Sequence, residues 1–205
     1  MIERETVAAY LDSLAKPRGS LGRLERIAAD LAVAQGALKP QTRPRRIVLF
    51  AADHGVVAAG VTAWPSTVTQ LMIGTIAAGR AASSVLARET GTDLRLIDVG
   101  SLGEPLAPAP PTYRRALVRA GSGNLAVEPA LSLADLEAAW TIGIEEADAA
   151  AMDGMRVILA GEMGIGNTTP SACLAMLLAG LPVEVAVGPG AGSDAAVVAR
   201  KREVV

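Results

Sequence analysis

A single carboxylate, Glu162, lies within the glycine-rich stretch GEMGIGNT at residues 161–168. The apolar run VILA before this stretch predicts a buried strand, and Thr169 followed by Pro170 predicts that a helix begins there. A glycine-rich turn between a strand and a helix lets backbone N–H groups approach an anion, and the helix dipole attracts negative charge to the same place. The stretch is therefore a candidate site for a phosphate-bearing ligand.

Glu162 can act on such a ligand in more than one way. Its carboxylate can orient a ribose hydroxyl or a heterocycle nitrogen, or it can accept a proton. The structural alternative is that it accepts hydrogen bonds from nearby backbone donors as a helix cap. The sequence leaves both roles open.

Two further glycine-bearing loops follow predicted strands, at residues 51–61 and 187–194. Because the carboxyl ends of parallel strands border one crevice, the three loops are expected to converge there. The loop GPGAGSD can hold a phosphate or can be only a tight turn, and Lys201 can reach back to it or remain solvated. Neither this loop nor residues 161–168 carries G-x-x-x-x-G-K-[ST], or G-x-G-x-x-G in register, which argues against Walker-type and dinucleotide sites.

Other polar side chains near these loops are weaker candidates. Asp53 and His54 are adjacent in the chain, so they cannot stack as the orienting acid and the base of a Ser–His–Asp triad. Their alternative role is to shape the loop by hydrogen bonds. Cys173 lies in an apolar helical stretch, which favours burial in the core over reactivity.

An apolar strip on the helix predicted after Pro65 consists of Val68, Met72 and Ile76, at i, i+4 and i+8. Such a strip close to the crevice can accept a flat aromatic ligand. The same spacing more often marks a helix face packed into the core. The sequence is compatible with a ligand-binding strip and with a core-facing strip.

Composition narrows the class of partner. The 205 residues carry a net charge of −2 and only two Trp, two Tyr and one Phe, whereas nucleic-acid platforms use stacking rings and a basic face. One cysteine and one histidine exclude an internal disulfide and a histidine-rich metal cluster. Charges, Gly and Pro interrupt every apolar stretch before the roughly 20 residues that cross a membrane. We therefore expect a cytoplasmic protein that acts on small molecules, with neither nucleic acid nor membrane as a partner.

Strand and helix patterns alternate along most of the chain, which predicts an α/β fold. Apolar runs without polar alternation predict strands buried on both faces, as in a doubly wound, mostly parallel sheet. The predicted strands cover 46–51, 94–99, 115–120, 156–160 and 183–187, and the predicted helices cover 66–88, 132–152, 170–179 and the residues from 194 onward. Ahead of them, residues 3–38 predict a small helical piece, and the Pro-containing stretch 39–45 predicts a linker.

Several motifs occur together in an order that matches one known family. They are KPRGSLGRLE at 16–25, AADHGVVAAGVTAWPSTVTQLM at 51–72, DVG at 98–100, GEMGIGNTTPSA at 161–172, VGPGAGSD at 187–194 and ARK at 199–201. In these motifs the chain resembles the nicotinate-nucleotide–dimethylbenzimidazole phosphoribosyltransferases of cobalamin biosynthesis. The resemblance implies a Rossmann-like large domain at 41–205, a helical part of a small domain at 1–40, and a homodimer that needs no metal or cofactor.

The resemblance also implies an activity. The family transfers phosphoribose from nicotinate mononucleotide to 5,6-dimethylbenzimidazole, giving α-ribazole 5′-phosphate and nicotinate. Some members carry polar residues on the helix face that holds the benzimidazole, so the aliphatic residues here leave the accepted base open. The positions that match the family's substrate-binding motifs are Glu162 and Gly164 beside the nucleotide, Gly190, Gly192 and Lys201 at the phosphate, and Val68, Met72 and Ile76 along the benzimidazole pocket.

The same resemblance implies that the family's general-base glutamate lies beyond residue 205. No catalytic residue is then expected within this chain, and its activity alone is expected to be weak or absent. One alternative is a non-catalytic nucleotide- or base-binding fragment. Another is an NAD-dependent Rossmann oxidoreductase, in which Asp98 at the end of a predicted strand would bind a ribose.

Overall fold

The structure is a computed structural model that describes residues 2–205, so Met1, the first residue of the predicted piece 1–40, lies outside the described residues. The chain divides into two compact units, Met1–Arg43 and Pro44–Val205. The assignment of residues 1–40 to a small domain and 41–205 to a large nucleotide-binding domain stays a prediction. Among the described residues, no helix combines the length and the apolar character needed to span a bilayer.

The first unit is a pair of helices, α1 (Arg4–Ser13) and α2 (Arg23–Gln35). They pack through a small apolar cluster that contains Val7, Ala29 and Ala32. Helix α2 ends at Gly36, whose φ of +64° is a left-handed conformation that glycine adopts without a steric penalty. The predicted helical piece is thereby confirmed.

The second unit is built on a parallel four-stranded sheet, which confirms the predicted α/β class. The strands are β1 (Arg45–Ala52), β2 (Asp93–Gly100), β3 (Tyr113–Arg115) and β4 (Val157–Met163), in the order β3-β2-β1-β4. The helices are α3 (Thr67–Ala77), α4 (Ala82–Glu89), α5 (Leu133–Met152), α6 (Thr168–Ala179), α7 (Val183–Ala186) and α8 (Ala195–Val204), with a short 3-10 helix at Gly55–Ala59.

Helices cover the sheet from both sides. On one side, Leu49 and Ala51 of β1 pack with Ile73 and Ile76 of α3 in the main core cluster. Because successive strand residues point to opposite faces, Phe50 points the other way, where it borders a groove lined by α5. This is the doubly wound arrangement that the unbroken apolar runs predict, with α3 and α4 on one face and α5 on the other.

Two predicted strands are wrong in whole or in part. Most of the strand predicted at 183–187 is the short helix α7 (Val183–Ala186) after Pro182, because four apolar residues around Glu184 carry too little periodicity to separate a strand from a helical turn. The strand predicted at 115–120 ends at Arg115. Beyond it the chain still follows β2, through the Ala116 N–H donating to the Asp98 carbonyl and the Val118 N–H donating to the Val99 carbonyl, but without a regular ladder.

The single helix predicted at 66–88 is two helices. Gly79 has a φ of +74° and lies between the end of α3 and the start of α4. A left-handed residue ends a right-handed helix, so the apolar pattern on each side of Gly79 belongs to a separate element. The two helices still pack on the same side of the sheet.

Strand β4 is the least covered part of the sheet. It lies at one edge, and its residues Ile158 and Leu159, which point to opposite faces, are each 44% exposed. Three leucines of the adjoining α6 are also exposed: Leu174, Leu177 and Leu178. Strands of parallel sheets are ordinarily buried on both faces, so this edge is an exposed apolar surface of the chain.

Candidate functional site

The glycine loop after β4 lies directly against the end of β1. A Cβ atom added at Gly164 would lie 2.0 Å from the Ala52 carbonyl oxygen and 2.9 Å from the His54 ring. Gly166 has a φ of +87°, and a Cβ atom there would lie 2.8 Å from Val57. The bare backbone of this loop is therefore required for two close approaches, and it brings the tips of β1 and β4 together.

Glu162 is exposed at the end of β4, opposite Phe50 in the strand register. Its carboxylate accepts a hydrogen bond from the Asn167 side-chain amide. Both side chains line a pocket of about 260 Å³ beside α6. Glu162 does not act as a helix cap, because the group that donates to its carboxylate is a side-chain amide and not a backbone N–H. The carboxylate is exposed and can also contact a ligand.

The second glycine loop, residues 187–194, meets the first at one side chain. Lys201 Nζ lies 2.9 Å from Thr168 Oγ1, at the start of α6, and 3.4 and 3.5 Å from the carbonyl oxygens of Gly188 and Pro189. A Cβ atom at Gly190 would lie 3.0 Å from Nζ and 3.2 Å from Thr168 Oγ1. The loops after β4 and before α8 therefore converge, with Lys201 between them.

Lys201 is a buried cation that has no carboxylate partner among the described residues. Its exposure is 2%, and burial lowers the pKa of its ammonium group. Its hydrogen-bond partners within residues 2–205 are one hydroxyl and two carbonyls, with no carboxylate among them. Because a buried charge is stable only when it is paired and hydrogen-bonded, this ammonium group is suited to an anion brought in as a ligand.

The first turn of α8 is capped from within. Asp194 accepts a hydrogen bond from the Val197 N–H at 2.9 Å, so its carboxylate lies where the helix dipole would otherwise attract an anion. The sequence offers the loop that leads into this helix either as a phosphate cradle or as a tight turn. The structure has the helix start capped by Asp194, while Lys201 lies against the loop around Gly190.

Two contacts that the sequence does not predict fix this loop in place. Trp64 Nε1 donates to the Ala191 carbonyl at 2.7 Å, and Arg200 Nε donates to the Ala59 carbonyl at 3.0 Å. Both join the last glycine loop and α8 to the loop after β1, more than a hundred residues earlier in the chain. Neither a lone Trp nor one Arg in a helix gives a local signal for such a contact.

Comparison with known proteins gives concordant matches over this whole region. A family model described as phosphoribosyltransferase matches residues 3–205. The nicotinate-nucleotide–dimethylbenzimidazole phosphoribosyltransferase of Solidesulfovibrio magneticus is 47% identical over 197 residues, which are 96% of this chain and 55% of that protein. The enzyme of the same name from Ectopseudomonas mendocina is 45% identical over 204 residues, 100% of this chain and 58% of that protein.

A solved structure agrees with the sequence comparisons. The crystal structure of CobT from Thermus thermophilus superposes with a TM-score of 0.91 at 40% identity, covering 98% of this chain and 60% of that one. The chain belongs to the phosphoribosyltransferase family. It spans somewhat more than half the length of the curated relatives that it matches.

In this chain the residues of the strip predicted on α3 do not share one exposed surface. Ile76 is 4% exposed and belongs to the main core cluster, and Met72 packs against that cluster. Val68 is half-buried, one turn closer to the start of the helix. Thr69 on the same helix is buried and accepts a hydrogen bond from the Ile165 N–H at 3.1 Å, which ties α3 to the first glycine loop.

The remaining polar candidates of the chain have structural partners or are buried. Asp53 is 2% exposed and accepts a hydrogen bond from the Leu102 N–H at 2.8 Å, which is the loop-shaping role. Burial lowers the pKa of the His54 imidazole, while the nearby Asp53 charge opposes that shift. Cys173 is half-buried, and burial raises the pKa of its thiol, which disfavours the reactive thiolate.

Proposed function

We propose that this chain is the nucleotide-binding part of an enzyme that transfers phosphoribose from nicotinate mononucleotide to 5,6-dimethylbenzimidazole. The products would be α-ribazole 5′-phosphate and nicotinate, for the lower ligand of cobalamin. One observation carries the proposal: the buried Lys201, which has no carboxylate partner within residues 2–205, lies where two glycine loops converge. The substrates are those for which the related enzymes are named.

The proposed chemistry needs little from the protein beyond placement and one base. A benzimidazole nitrogen attacks C1′ of the ribose while the bond from C1′ to the pyridinium nitrogen breaks, and the bonding pair leaves with a neutral nicotinate ring. The attack inverts the configuration at C1′ from β to α. The proton of the attacking ring passes to a carboxylate base. In-line placement of both rings supplies much of the remaining acceleration.

The proposal assigns the phosphate, the ribose and the benzimidazole to three different groups of residues. Lys201, with the loop that contains Gly190 and Gly192, holds the phosphate. Glu162 and Gly164 border the ribose, where the exposed carboxylate can accept a hydrogen bond from a hydroxyl. The half-buried side chains Val68 and Met72 border the benzimidazole, and Ile76 supports them from the core.

We further propose that the general base is not among residues 1–205. Asp53 and Asp98 are buried and accept hydrogen bonds from the protein, and Glu162 is bonded to Asn167. None of these three carboxylates is placed to take a proton from a ring held beside α3. Since a general base contributes about 10²–10⁴ in rate, turnover by this chain should be lower by a factor of that order. The homodimer and the cytoplasmic location belong to the same proposal, through the resemblance and the composition.

A direct test is a product assay on the 205-residue chain with the Solidesulfovibrio magneticus enzyme as a reference. Both proteins are incubated with nicotinate mononucleotide and dimethylbenzimidazole, and α-ribazole 5′-phosphate is measured by chromatography. Saturable binding of nicotinate mononucleotide to the chain, with turnover about 10²–10⁴-fold below the reference, is the expected result. A folded chain that binds no nicotinate mononucleotide would overturn the proposal, and turnover equal to the reference would place the base within residues 1–205.

The oxidoreductase alternative requires Asp98 to bind a ribose, and the structure argues against that role. Asp98 is fully buried and accepts hydrogen bonds from the Ser101 hydroxyl at 2.7 Å and the Tyr113 hydroxyl at 3.1 Å. A carboxylate committed in this way cannot bind the ribose of NAD. The alternative of a non-catalytic binding fragment differs from the proposal only in turnover, so the same product assay separates the two.

A further inference from the structure

The loop that precedes α8 is held mainly by side chains from outside the loop. Lys201 Nζ lies within hydrogen-bond distance of two of its carbonyl oxygens, and Trp64 Nε1 donates to a third, at Ala191. Within residues 2–205, the backbone of 188–193 makes a single hydrogen bond to other backbone atoms, which joins two of the loop's own glycines. The conformation of this loop therefore depends on the side chains of Trp64 and Lys201.

Trp64 belongs to the segment that leads into α3, and this segment holds the other glycine loop as well. Thr69, in the first turn of α3, accepts a hydrogen bond from the Ile165 N–H at 3.1 Å. Trp64, shortly before it in the chain, donates to the Ala191 carbonyl at 2.7 Å. Because these two contacts are so close together in the chain, residues 64–69 hold both glycine loops in a fixed relation to each other.

The loop held by Trp64 forms one wall around the Lys201 ammonium group. A Cβ atom at Gly190 would lie 3.0 Å from Lys201 Nζ, so the bare backbone of the loop lies directly against the cation. Helix α8, which carries Lys201, has its own contact with the loop after β1, because Arg200 Nε donates to the Ala59 carbonyl at 3.0 Å. Loss of the Trp64 contact is therefore expected to move the loop away from Lys201 while α8 keeps its place.

We propose that Trp64 is a positioning residue of the anion site, whose indole N–H holds the loop of Gly190 against Lys201. The inference rests on the proposed function, which takes Lys201 as the phosphate-binding group, and deepens it. A loop that is ordered before the ligand arrives does not have to be ordered at the expense of binding free energy. The indole is 49% exposed, so its hydrogen bond to the loop, and not burial in the core, distinguishes it from another aromatic side chain.

The affinity for nicotinate mononucleotide tests the role of the indole N–H. Trp64→Phe keeps a flat aromatic ring and removes the donor. We expect it to weaken binding about 2- to 10-fold in isothermal titration calorimetry, the effect of losing one neutral hydrogen bond. Trp140→Phe is the matched control and should leave the affinity unchanged, because Trp140, the other tryptophan of the chain, lies on α5 and is 70% exposed.

The pKa of Lys201 separates positioning from a general loss of stability. The chain has three lysines, so nuclear magnetic resonance of ¹³C-labelled lysine identifies the Lys201 signal as the one absent from Lys201→Met. Burial holds the pKa of the Lys201 ammonium group below its ordinary value of 10.5. We expect Trp64→Phe to raise this pKa toward the ordinary value, because water reaches the ammonium group when the loop moves away. Trp140→Phe should leave it as in the wild-type chain.

A double variant shows whether Trp64 acts through Lys201. Trp64→Phe should weaken nicotinate mononucleotide binding in the wild-type chain but not in the Lys201→Met background, since the group that it positions is then missing. An equal loss in both backgrounds would mean that Trp64 acts on the ligand or the fold by another route, and would overturn the inference. All variants are compared after circular dichroism confirms the native helix content.

The outcomes separate this inference from the proposed function. If binding of nicotinate mononucleotide depends on Lys201 but is unchanged in Trp64→Phe, the inference is wrong and the proposed function stands. An unchanged pKa of Lys201 in Trp64→Phe also contradicts the inference. If the wild-type chain binds no nicotinate mononucleotide while Trp64→Phe still raises that pKa, the proposed function is wrong and Trp64 nevertheless positions the loop around Lys201.

Discussion

At the scale of single residues, the glycine loop after β4 is fixed by sterics. Gly164 has no room for a side chain, because its missing Cβ would lie 2.0 Å from the Ala52 carbonyl oxygen, a backbone atom of a central strand. Neither the strand nor the loop can move away cheaply. Gly164 is proposed to border the substrate, and its position there depends on the close approach of the loop to Ala52. Any residue with a side chain would prevent that approach.

Replacing Gly164 by alanine should therefore be severely destabilising. We expect the free energy of unfolding to fall by about 3 kcal/mol or more, at the upper end of overpacking effects. Gly143→Ala in α5 is the matched control, since its Cβ would meet no atom within 4 Å, and alanine there should stabilise the helix by about 0.5–1 kcal/mol. Urea denaturation measures both values, and equal effects at the two positions would contradict the close approach.

His54 gives a second expectation at this scale. Burial lowers its folded-state pKa below the ordinary value of 6.5, so the unfolded chain binds the proton more readily. The free energy of unfolding is then highest above the ordinary pKa and falls as pH decreases through it toward the lowered value. Urea denaturation from about pH 7.5 to about pH 5.5 should show this fall in the wild-type chain and a shallower one in His54→Gln. Parallel pH profiles would show that the imidazole is not buried.

Residue identities predicted the two glycine loops and the position of Glu162 but not the environment of Lys201. An Arg–Lys–Arg run at 200–202 is ordinarily a solvated face, and nothing local distinguishes its middle member. Lys201 is buried because Arg200 and Trp64 fix α8 and its loop against a distant loop. Contacts between residues so far apart in the chain depend on the tertiary structure, and the hydrophobic periodicity of the sequence does not indicate them.

At the scale of elements, the start of α5 is the boundary that the sequence predicts best. Ser132 Oγ accepts a hydrogen bond from the Asp135 N–H at 3.1 Å, and the Asp135 carboxylate accepts one from the Ser132 N–H at 3.0 Å. This capping box satisfies two backbone donors that would otherwise lack partners. It fixes the start of the helix that lines the groove beside Phe50.

Removing this cap should cost a measurable part of the stability. Ser132→Ala is expected to lower the free energy of unfolding by about 1 kcal/mol. Thr141→Ala on the same helix is the control: Thr141 donates to the Glu137 carbonyl within the helix, so its loss should change stability by less than about 0.5 kcal/mol. Thermal unfolding followed by circular dichroism measures both, and a neutral Ser132→Ala would show that the cap is not formed.

Element predictions succeeded where the pattern was long and failed where it was short. Strands β1 and β4 contain the unbroken apolar runs IVLFAA and VILA and pair in parallel, and α5 has twenty residues and a cap. The run at 183–187 is too short for its period to be read, and Pro182 directs it into a helical turn. The break at Gly79 was missed because one glycine within an apolar helical pattern is ordinarily tolerated.

At the scale of the whole molecule, the order of strands explains the site. The sheet order β3-β2-β1-β4 places β1 and β4 side by side, although more than a hundred residues separate them in the chain. Their adjacent tips carry the loop of Asp53 and His54 and the loop of Glu162 and Gly164. The sequence predicts that the loops at the carboxyl ends of parallel strands lie close together. Only the order of the strands in the sheet shows which two loops are neighbours.

The central claim is that Lys201 provides the phosphate site for nicotinate mononucleotide. Lys201→Met should preserve the fold, because replacing a buried charge by an apolar side chain of similar size is often neutral or stabilising. Arg202→Met is the matched control, since Arg202 is adjacent in the chain but exposed.

Isothermal titration calorimetry with nicotinate mononucleotide measures this claim most directly. We predict that Lys201→Met weakens binding by about 10- to 100-fold, the effect of losing a charge-assisted contact, while Arg202→Met changes it by less than about threefold. Equal affinities for the wild-type chain and Lys201→Met would contradict the account, as would an equal loss in the two variants.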